Sequence, residues 1–313
     1  MRIGWLFPGQ GSQSVGMCKS LLEPSPAALD VLRTTDAALG EPLSNLILEG
    51  PEDELTLTAN AQPAIVAISC AVLAAVRERL TDLPLPAVAA GHSLGEYSAL
   101  VAAGVISLPD ALRVVRARGI AMQDAVPPGA GAMSAIMGLD ADRVSAICIE
   151  AAGGEVVSPA NFNAPGQIVI AGHAAAVQRA CELAAAQKGR VIHLKVSAPF
   201  HCALMAPAAR VLERKLAPIA MARPQFPIVA NFNAQPNTDA TRVKELLVSQ
   251  VDGAVRWEES VRWMFAHGVT HALEIGPGKV LAGLVKRISK DIKVLSTGAI
   301  ESIDEVGAFL AEG

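Results

Sequence analysis

The residues best suited to chemistry lie in Ala90-Gly91-His92-Ser93-Leu94-Gly95-Glu96. An apolar run, 87–90, leads into this stretch, and a helix-like segment, 96–103, follows it and stops at Gly104. Strand, Gly-x-Ser-x-Gly and helix in that order make a nucleophile elbow, a sharp turn that exposes one hydroxyl at a strand's carboxyl end. The flanking glycines are needed where the turn is strained and the chain around it packs too closely for a β-carbon. The N-terminus of the next helix offers unpaired N–H groups to an oxyanion. The pattern predicts acyl-serine chemistry at Ser93, with a buried serine in a tight turn as the competing reading.

A serine nucleophile needs a base, and the chain has six histidines. His92 adjoins Ser93, but neighbouring side chains at a strand end point apart. His193 shares a strand face with Lys195 that is expected to be solvated. His173 opens a helix as a cap or surface residue. His267 and His271 have the spacing of a helical zinc pair, yet Gly268 interrupts them and no Glu lies between, so no metal is expected. His201 follows a strand end through Ala198-Pro199-Phe200, where α/β proteins place catalytic groups. Position alone leaves it balanced between a base and a structural histidine.

One arginine stands out. Between Asp110 and Gln123, the residues Ala111, Val114, Val115 and Met122 share a helical face, with Arg118 inside that stripe and Arg113 and Arg116 opposite. A guanidinium there needs a partner, because burying it alone is expensive. That partner is either a structural carboxylate or a carboxylate on the substrate, gripped by two parallel N–H donors.

The 313 residues allow one large domain, or a large and a small one. Hydrophobic residues make up 51% but aromatics only 4%, so Ala, Val, Leu and Ile must fill the core, which suits parallel strands covered by helices. A net charge of −4 gives no reason to expect nucleic-acid binding. Five scattered cysteines without a Cys-x-x-Cys pair read as reduced thiols of a cytoplasmic protein. Arg2, a short apolar strand and Pro8-Gly9 do not make a signal peptide. The uncharged stretch 55–76 carries Asn60, Gln62 and Pro63 and predicts a buried helix starting near Pro63, not a membrane span. The loop 8–13 nearly spells a dinucleotide fingerprint, but Ser14 replaces the last glycine. Gly276-Pro277-Gly278-Lys279 is too short for a phosphate loop, and Val280 replaces its Ser or Thr.

The breakers Pro127-Pro128-Gly129-Ala130-Gly131 mark a boundary. Beyond it the pattern reads strand 132–137, helix 140–152, strands 155–158 and 167–171, helix 174–187 and strand 191–196. That βαββαβ order is the split βαβ unit of ferredoxin-like domains. Longer helices and apolar strands such as 228–230 and 272–275 then resume. The chain is therefore expected to be α/β, with a large domain of 1–127 and 197–313 and a small ferredoxin-like domain of 128–196 inserted into it.

Taken together, the chain resembles the malonyl-CoA:acyl carrier protein transacylases nearly end to end. The matching segments are Phe7-Pro8-Gly9-Gln10-Gly11-Ser12-Gln13, Gln62-Pro63-Ala64, residues 91–97, Arg118-Gly119, residues 161–167, Pro199-Phe200-His201 and residues 274–281. The resemblance implies an α/β-hydrolase-like large domain with a parallel sheet. It further implies that Ser93 attacks the malonyl thioester, that His201 takes its proton and that Arg118 binds the free carboxylate. The N–H groups of Gln10 and Leu94 would form the oxyanion hole, and the carbonyl of Gln250 would orient His201. Gln62, His92, Asn161 and Phe200 would line the substrate pocket, with Phe200 resembling the variant associated with malonyl rather than methylmalonyl units. Near Gln250 the chain departs from the family: Ala254 replaces the usual Pro before Val255-Arg256-Trp257, and Asp252 competes for the orienting role.

The implied partners are malonyl-CoA and an acyl carrier protein bearing phosphopantetheine, with no cofactor, metal or membrane and with a monomer expected. Acidic carrier proteins call for a basic surface. Lys279, Lys286 and Lys290, opposite Val280, Leu281, Leu284 and Ile288, offer one; a merely solvated helix face is the alternative. A serine hydrolase and a non-catalytic carrier-binding subunit remain as other classes. Within the transacylase reading, fatty-acid synthesis, polyketide synthesis and malonate decarboxylation would use the same residues.

Overall fold

The computed structural model describes residues 2–22, 24–196 and 198–312. A six-stranded sheet is built from β1 (Arg2–Phe7), β2 (Val88–Gly91), β7 (Ile228–Val229), β8 (Pro236–Asn237), β9 (Val269–Glu274) and β10 (Lys293–Ser296), in the order β10-β9-β1-β2-β7-β8. All pairs are parallel except β7–β8. Every residue of β1 after Arg2 is buried, as expected of a parallel strand covered on both faces. Alternation divides it between two cores. Ile3, Trp5 and Phe7 pack in the cluster that contains the Thr58–Arg79 helix, while Leu6 joins Val88, Ala90, Trp257 and Leu284 on the other side.

A second sheet is formed by β3 (Gly131–Met137), β4 (Val157–Ala164), β5 (Gln167–His173) and β6 (Arg190–His193), fully antiparallel in the order β4-β5-β3-β6. Helices Ala141–Ala152 and Ala174–Ala186 complete the βαββαβ succession and bury Ile136, Ile168, Ile170, Val144 and Val177 against one face. Met133, Ala135, Val169 and Ala171, on the other face, belong to the main core. The fold is two-domain α/β. Its two crossings between sheets are adjacent, since a β-carbon on Gly131 would lie 2.4 Å from ring carbons of Pro199.

Several elements differ from their expected extents. The strand expected at 155–158 is 157–164: Pro159 obscures its pattern, and irregular pairing around Pro159 and Phe162 breaks the alternation. The strand expected to reach Val196 stops at His193. The core helix begins at Thr58, so Pro63 lies one turn inside it. Proline cannot donate to the carbonyl four residues back, and that Ala59 carbonyl instead accepts from Arg116 Nη1 at 2.8 Å. Arg116, on the side of its helix opposite Arg118, is thus mostly buried and also contacts Asn60 and Glu41. This helix is long and apolar enough to cross a membrane, but it is packed within the protein core. All five cysteines are free, and burial pushes the Cys18 and Cys70 thiols up to about 12.

The Leu108–Gln123 helix crosses the same turn at Gly119, where a β-carbon would meet Thr58 O at 2.7 Å and Ala59 Cα at 2.9 Å. Gly283, in the Val280–Ile288 helix, has nothing within 4 Å. Helix propensity favours alanine at both positions by up to about 1 kcal/mol; at Gly119 a backbone collision costing about 1–3 kcal/mol outweighs it. Urea unfolding should show Gly283→Ala stabilised by about 0.5–1 kcal/mol and Gly119→Ala destabilised.

Candidate active site

The site forms at the carboxyl ends of β1, β2 and β7, where open parallel sheets place ligands. At the end of β2 the chain turns through His92 and Ser93 into the Gly95–Ala102 helix. Ser93 adopts φ 51°, a left-handed conformation costly for a non-glycine residue. A β-carbon on Gly91 would sit 2.0 Å from Gly95 C and O, and one on Gly95 would sit 2.3 Å from Phe7 O. Both glycines are therefore fixed by close backbone approach. The Ser93 N–H donates to Asn231 Oδ1 at 2.6 Å, and Asn231 Nδ2 donates to Gly91 O at 2.7 Å, so one side chain just past β7 ties both sides of the turn.

Ser93 Oγ lies 2.8 Å from His201 Nε2, and His201 Nδ1 lies 2.8 Å from Gln250 O. A carbonyl only accepts, so Nδ1 carries the hydrogen and the bare Nε2 accepts from the serine hydroxyl. The orienting group is the Gln250 carbonyl and not Asp252. Burial, reinforced by the positive charge of Arg118, pushes the His201 pKa down to about 3, which keeps the imidazole neutral and available as a base. Turn bonds run from Gly95 N to His92 O and from Glu96 N to Ser93 O, leaving the Leu94 N–H outside them. Gln10, beyond the end of β1, lines the same cavity as Ser93.

Arg118 is 1% exposed. Its Nη1 donates to Gln62 Oε1 at 2.7 Å, and its Nη2 donates to Ser93 Oγ at 3.0 Å and Gln250 Oε1 at 2.9 Å. Among the described residues its Nε has no hydrogen-bond partner, and none of the ion pairs involves it. The structural carboxylate weighed from the sequence is thus not in direct contact. A guanidinium has five N–H donors, so these three bonds leave Nε–H and one Nη1–H uncommitted.

These groups border a cavity of about 330 Å³, lined also by Gln62, His92, Asn161 and Phe200. His92 donates through Nε2 to Asn163 Oδ1 at 2.8 Å and takes no part in the serine–histidine contact. Gln250 and Leu94 do not line the cavity; they act from behind it. Met133, Leu194, Lys195 and Val196 bring the smaller sheet's side to the wall.

The other histidines lie elsewhere. His193 Nδ1 is 3.0 Å from Ser134 Oγ, and His173 Nδ1 accepts from Val156 N at 2.9 Å. His267 stacks on Trp263, whereas His271 is buried on β9 against Phe309. The described residues contain no group of three His, Cys, Asp or Glu side chains able to hold a metal. Lys279, Lys286 and Lys290 border a separate open groove of about 770 Å³, joined by Lys293. Val280 is 50% exposed and not part of the helix's buried face, which is Leu281, Leu284, Val285 and Ile288.

A family model described as the acyl transferase domain matches residues 4–303. The malonyl CoA-acyl carrier protein transacylase of Salmonella typhimurium (strain LT2) is 46% identical over 314 residues, with 99% of each chain covered. The chain belongs to this transacylase family. Among solved members, the acyl-carrier-protein-S-malonyltransferase of Bartonella henselae superposes with a TM-score of 0.96 at 48% identity, covering 99% of this chain and 100% of that one. A malonyl-transacylase in complex with a type II PKS acyl-carrier protein superposes at 0.95 and 43% identity, covering 99% and 100%.

Two residues of this transacylase-family site were not singled out by sequence reasoning, Asn231 and the buried Glu96. Asn231 directly follows the apolar run 228–230, so the strand-end rule applied to His201 also points to it. Glu96 stood within the elbow motif but, as the first acidic residue of a helix, reads as an ordinary N-terminal charge.

The neutral His201 gives a pH test. Modification of Ser93 by a small uncharged sulfonyl fluoride should proceed at nearly constant rate between pH 7.5 and 5.5. An imidazole of ordinary pKa 6.5 would slow about tenfold over that interval, and such a fall would refute the burial effect.

Proposed function

We propose that the protein moves a malonyl group from malonyl-CoA, through an ester on Ser93, to the phosphopantetheine thiol of an acyl carrier protein in cytoplasmic fatty-acid synthesis. The observation that carries this reading is the buried Arg118 guanidinium, 3.0 Å from the nucleophile and with N–H donors uncommitted. Malonyl presents a carboxylate to that guanidinium while its thioester carbonyl faces Ser93. An uncharged acyl group leaves desolvated N–H donors of a cation unpaired, at a cost of several kcal/mol.

Each half-reaction uses the same groups. Ser93 Oγ attacks the thioester carbon as its proton passes to His201 Nε2. The Gln10 and Leu94 N–H groups stabilise the tetrahedral oxyanion, at about 3 kcal/mol per donor. The C–S bond breaks, and His201 returns the proton to the departing CoA sulfur. The carrier's thiol then gives its proton to His201 and attacks the ester carbon; the C–O bond breaks and His201 returns the proton to Ser93 Oγ. The two substrates use the site in turn, giving ping-pong kinetics. The scheme uses only side chains and backbone of this chain and calls for no cofactor. Phe200, on the cavity wall beside His201, limits room for a branching methyl, a preference worth about 1–3 kcal/mol.

Intact-mass spectrometry after mixing with malonyl-CoA should show one added malonyl group, absent from Ser93→Ala and discharged by holo carrier protein. Arg118→Ala should lower the malonyl-to-acetyl acylation ratio by at least about tenfold. Free malonate and CoA accumulating without an adduct would indicate a hydrolase, and neither adduct nor turnover would indicate a binding subunit.

For the carrier's acidic surface we assign Lys279, Lys286 and Lys290, whose side chains border the open groove. Lys286→Glu with Lys290→Glu should slow discharge by the carrier about tenfold at low ionic strength, less as salt screens the contact. Unchanged discharge would remove this assignment.

A further inference from the structure

Among the described residues Arg118 is buried without a direct ion pair, yet a carboxylate lies one side chain away. Glu96, in the first turn of the elbow helix, is 3% exposed. Its Oε2 accepts from Gln250 Nε2 at 2.8 Å and from Asn231 N at 3.0 Å. The same Gln250 Nε2 donates to Ser93 O at 3.0 Å, and Gln250 Oε1 accepts from Arg118 Nη2 at 2.9 Å. One amide therefore stands between a buried carboxylate and a buried guanidinium.

This arrangement fixes the amide's direction. A carbonyl and an ionised carboxylate only accept, and a guanidinium only donates. Reversing the Gln250 amide would set its oxygen against two acceptors and its NH₂ against a cation. With Glu96 in place, Gln250 must present its oxygen to Arg118.

We infer that Glu96 is a positioning residue for substrate selection: acting through the Gln250 amide, it orients and charge-compensates Arg118 while leaving the guanidinium's remaining donors free for the substrate carboxylate. A carboxylate touching Arg118 directly would occupy those donors and compete with the substrate. A carboxylate one amide away supplies the counter-charge and leaves them open. Burial pushes the Glu96 carboxyl up to about 7, while its bonds to Asn231 and Gln250 and the charge of Arg118 act the other way and favour the ionised form.

The inference rests on the malonyl reading of Arg118, and one set of variants separates the two. Acylation of Ser93 by malonyl-CoA and by acetyl-CoA is followed by intact mass for wild type, Glu96→Gln, Gln250→Met and Arg118→Ala. Sulfonyl fluoride modification of Ser93 reports independently on the nucleophile. Glu96→Gln is isosteric but neutral, and its new NH₂ competes for the positions where Gln250 requires an acceptor. It should lower the malonyl-to-acetyl ratio about tenfold, with the loss in the malonyl-CoA KM, while sulfonylation slows far less. Gln250→Met removes the amide but keeps the backbone carbonyl that holds His201, and it should lower the ratio similarly. In an Arg118→Ala background, Glu96→Gln should leave the ratio where Arg118→Ala has put it.

If Glu96→Gln slows both acyl donors and sulfonylation equally, Glu96 merely buttresses the elbow and the inference is overturned. If Glu96→Gln fails to fold, Gln250→Met decides, and an unchanged ratio there overturns the inference. If Arg118→Ala lowers the ratio and neither other variant does, the inference fails while the malonyl reading stands. If Arg118→Ala itself leaves the ratio unchanged, both fall.

Discussion

A cation held out of water beside the elbow serine imposes conditions on everything around it. Arg118 cannot be hydrated, so its donors must find acceptors in the protein or in the substrate. The protein supplies two amide oxygens and a hydroxyl, all neutral, from three separate elements: Gln62 on the core helix, Gln250 on the Val243–Asp252 helix and Ser93 at the elbow. Neutral acceptors satisfy hydrogen bonds without cancelling the charge. With the compensating Glu96 one amide away, the guanidinium's free donors still attract an anion, and the site's geometry depends on three elements keeping their relative depth.

The two residues assigned to chemistry share a backbone property. Ser93 and His201 both have positive φ, 51° and 59°, in a region non-glycine residues usually avoid. Such conformations cost on the order of 1–3 kcal/mol each and persist only where surroundings over-determine them. Around Ser93 these are the Gly91–Gly95 contact and the Asn231 side chain. Around His201 one is the Gln250 carbonyl. Gln250 thus holds the imidazole with its backbone and the guanidinium with its side chain, which couples the two through one residue.

Much of this was legible in the sequence because the signals were local. The elbow is five residues with fixed roles, the breakers at 127–131 mark a change of pattern, and Arg118 is conspicuous as a charge in an apolar stripe. What was less legible depended on distant parts of the chain. The core helix starts before Pro63 because Arg116, far along the sequence, takes the carbonyl that proline leaves free. Strand β4 extends past Pro159 because its partner β5 tolerates irregular pairing. The choice of the Gln250 carbonyl over Asp252 follows from the direction of the backbone at a helix end, which side-chain identity does not encode. Glu96 looked like a helix-start charge because only the folded chain brings Gln250 and Asn231 to it.

The crossing at Gly119 has a further consequence. Arg116 and Arg118 both reach the first turns of the core helix, at Ala59 O and Gln62, and Gly119 approaches that helix's backbone at Thr58 and Ala59. The depth of the guanidinium against the core helix is therefore a spacing between main chains, set where two helices touch without an intervening β-carbon. Under the proposed malonyl reading, it fixes how deep the substrate carboxylate sits. Exchanging side chains along the cavity wall can alter its width and polarity, but setting the guanidinium's backbone at another depth requires the two helices themselves to shift.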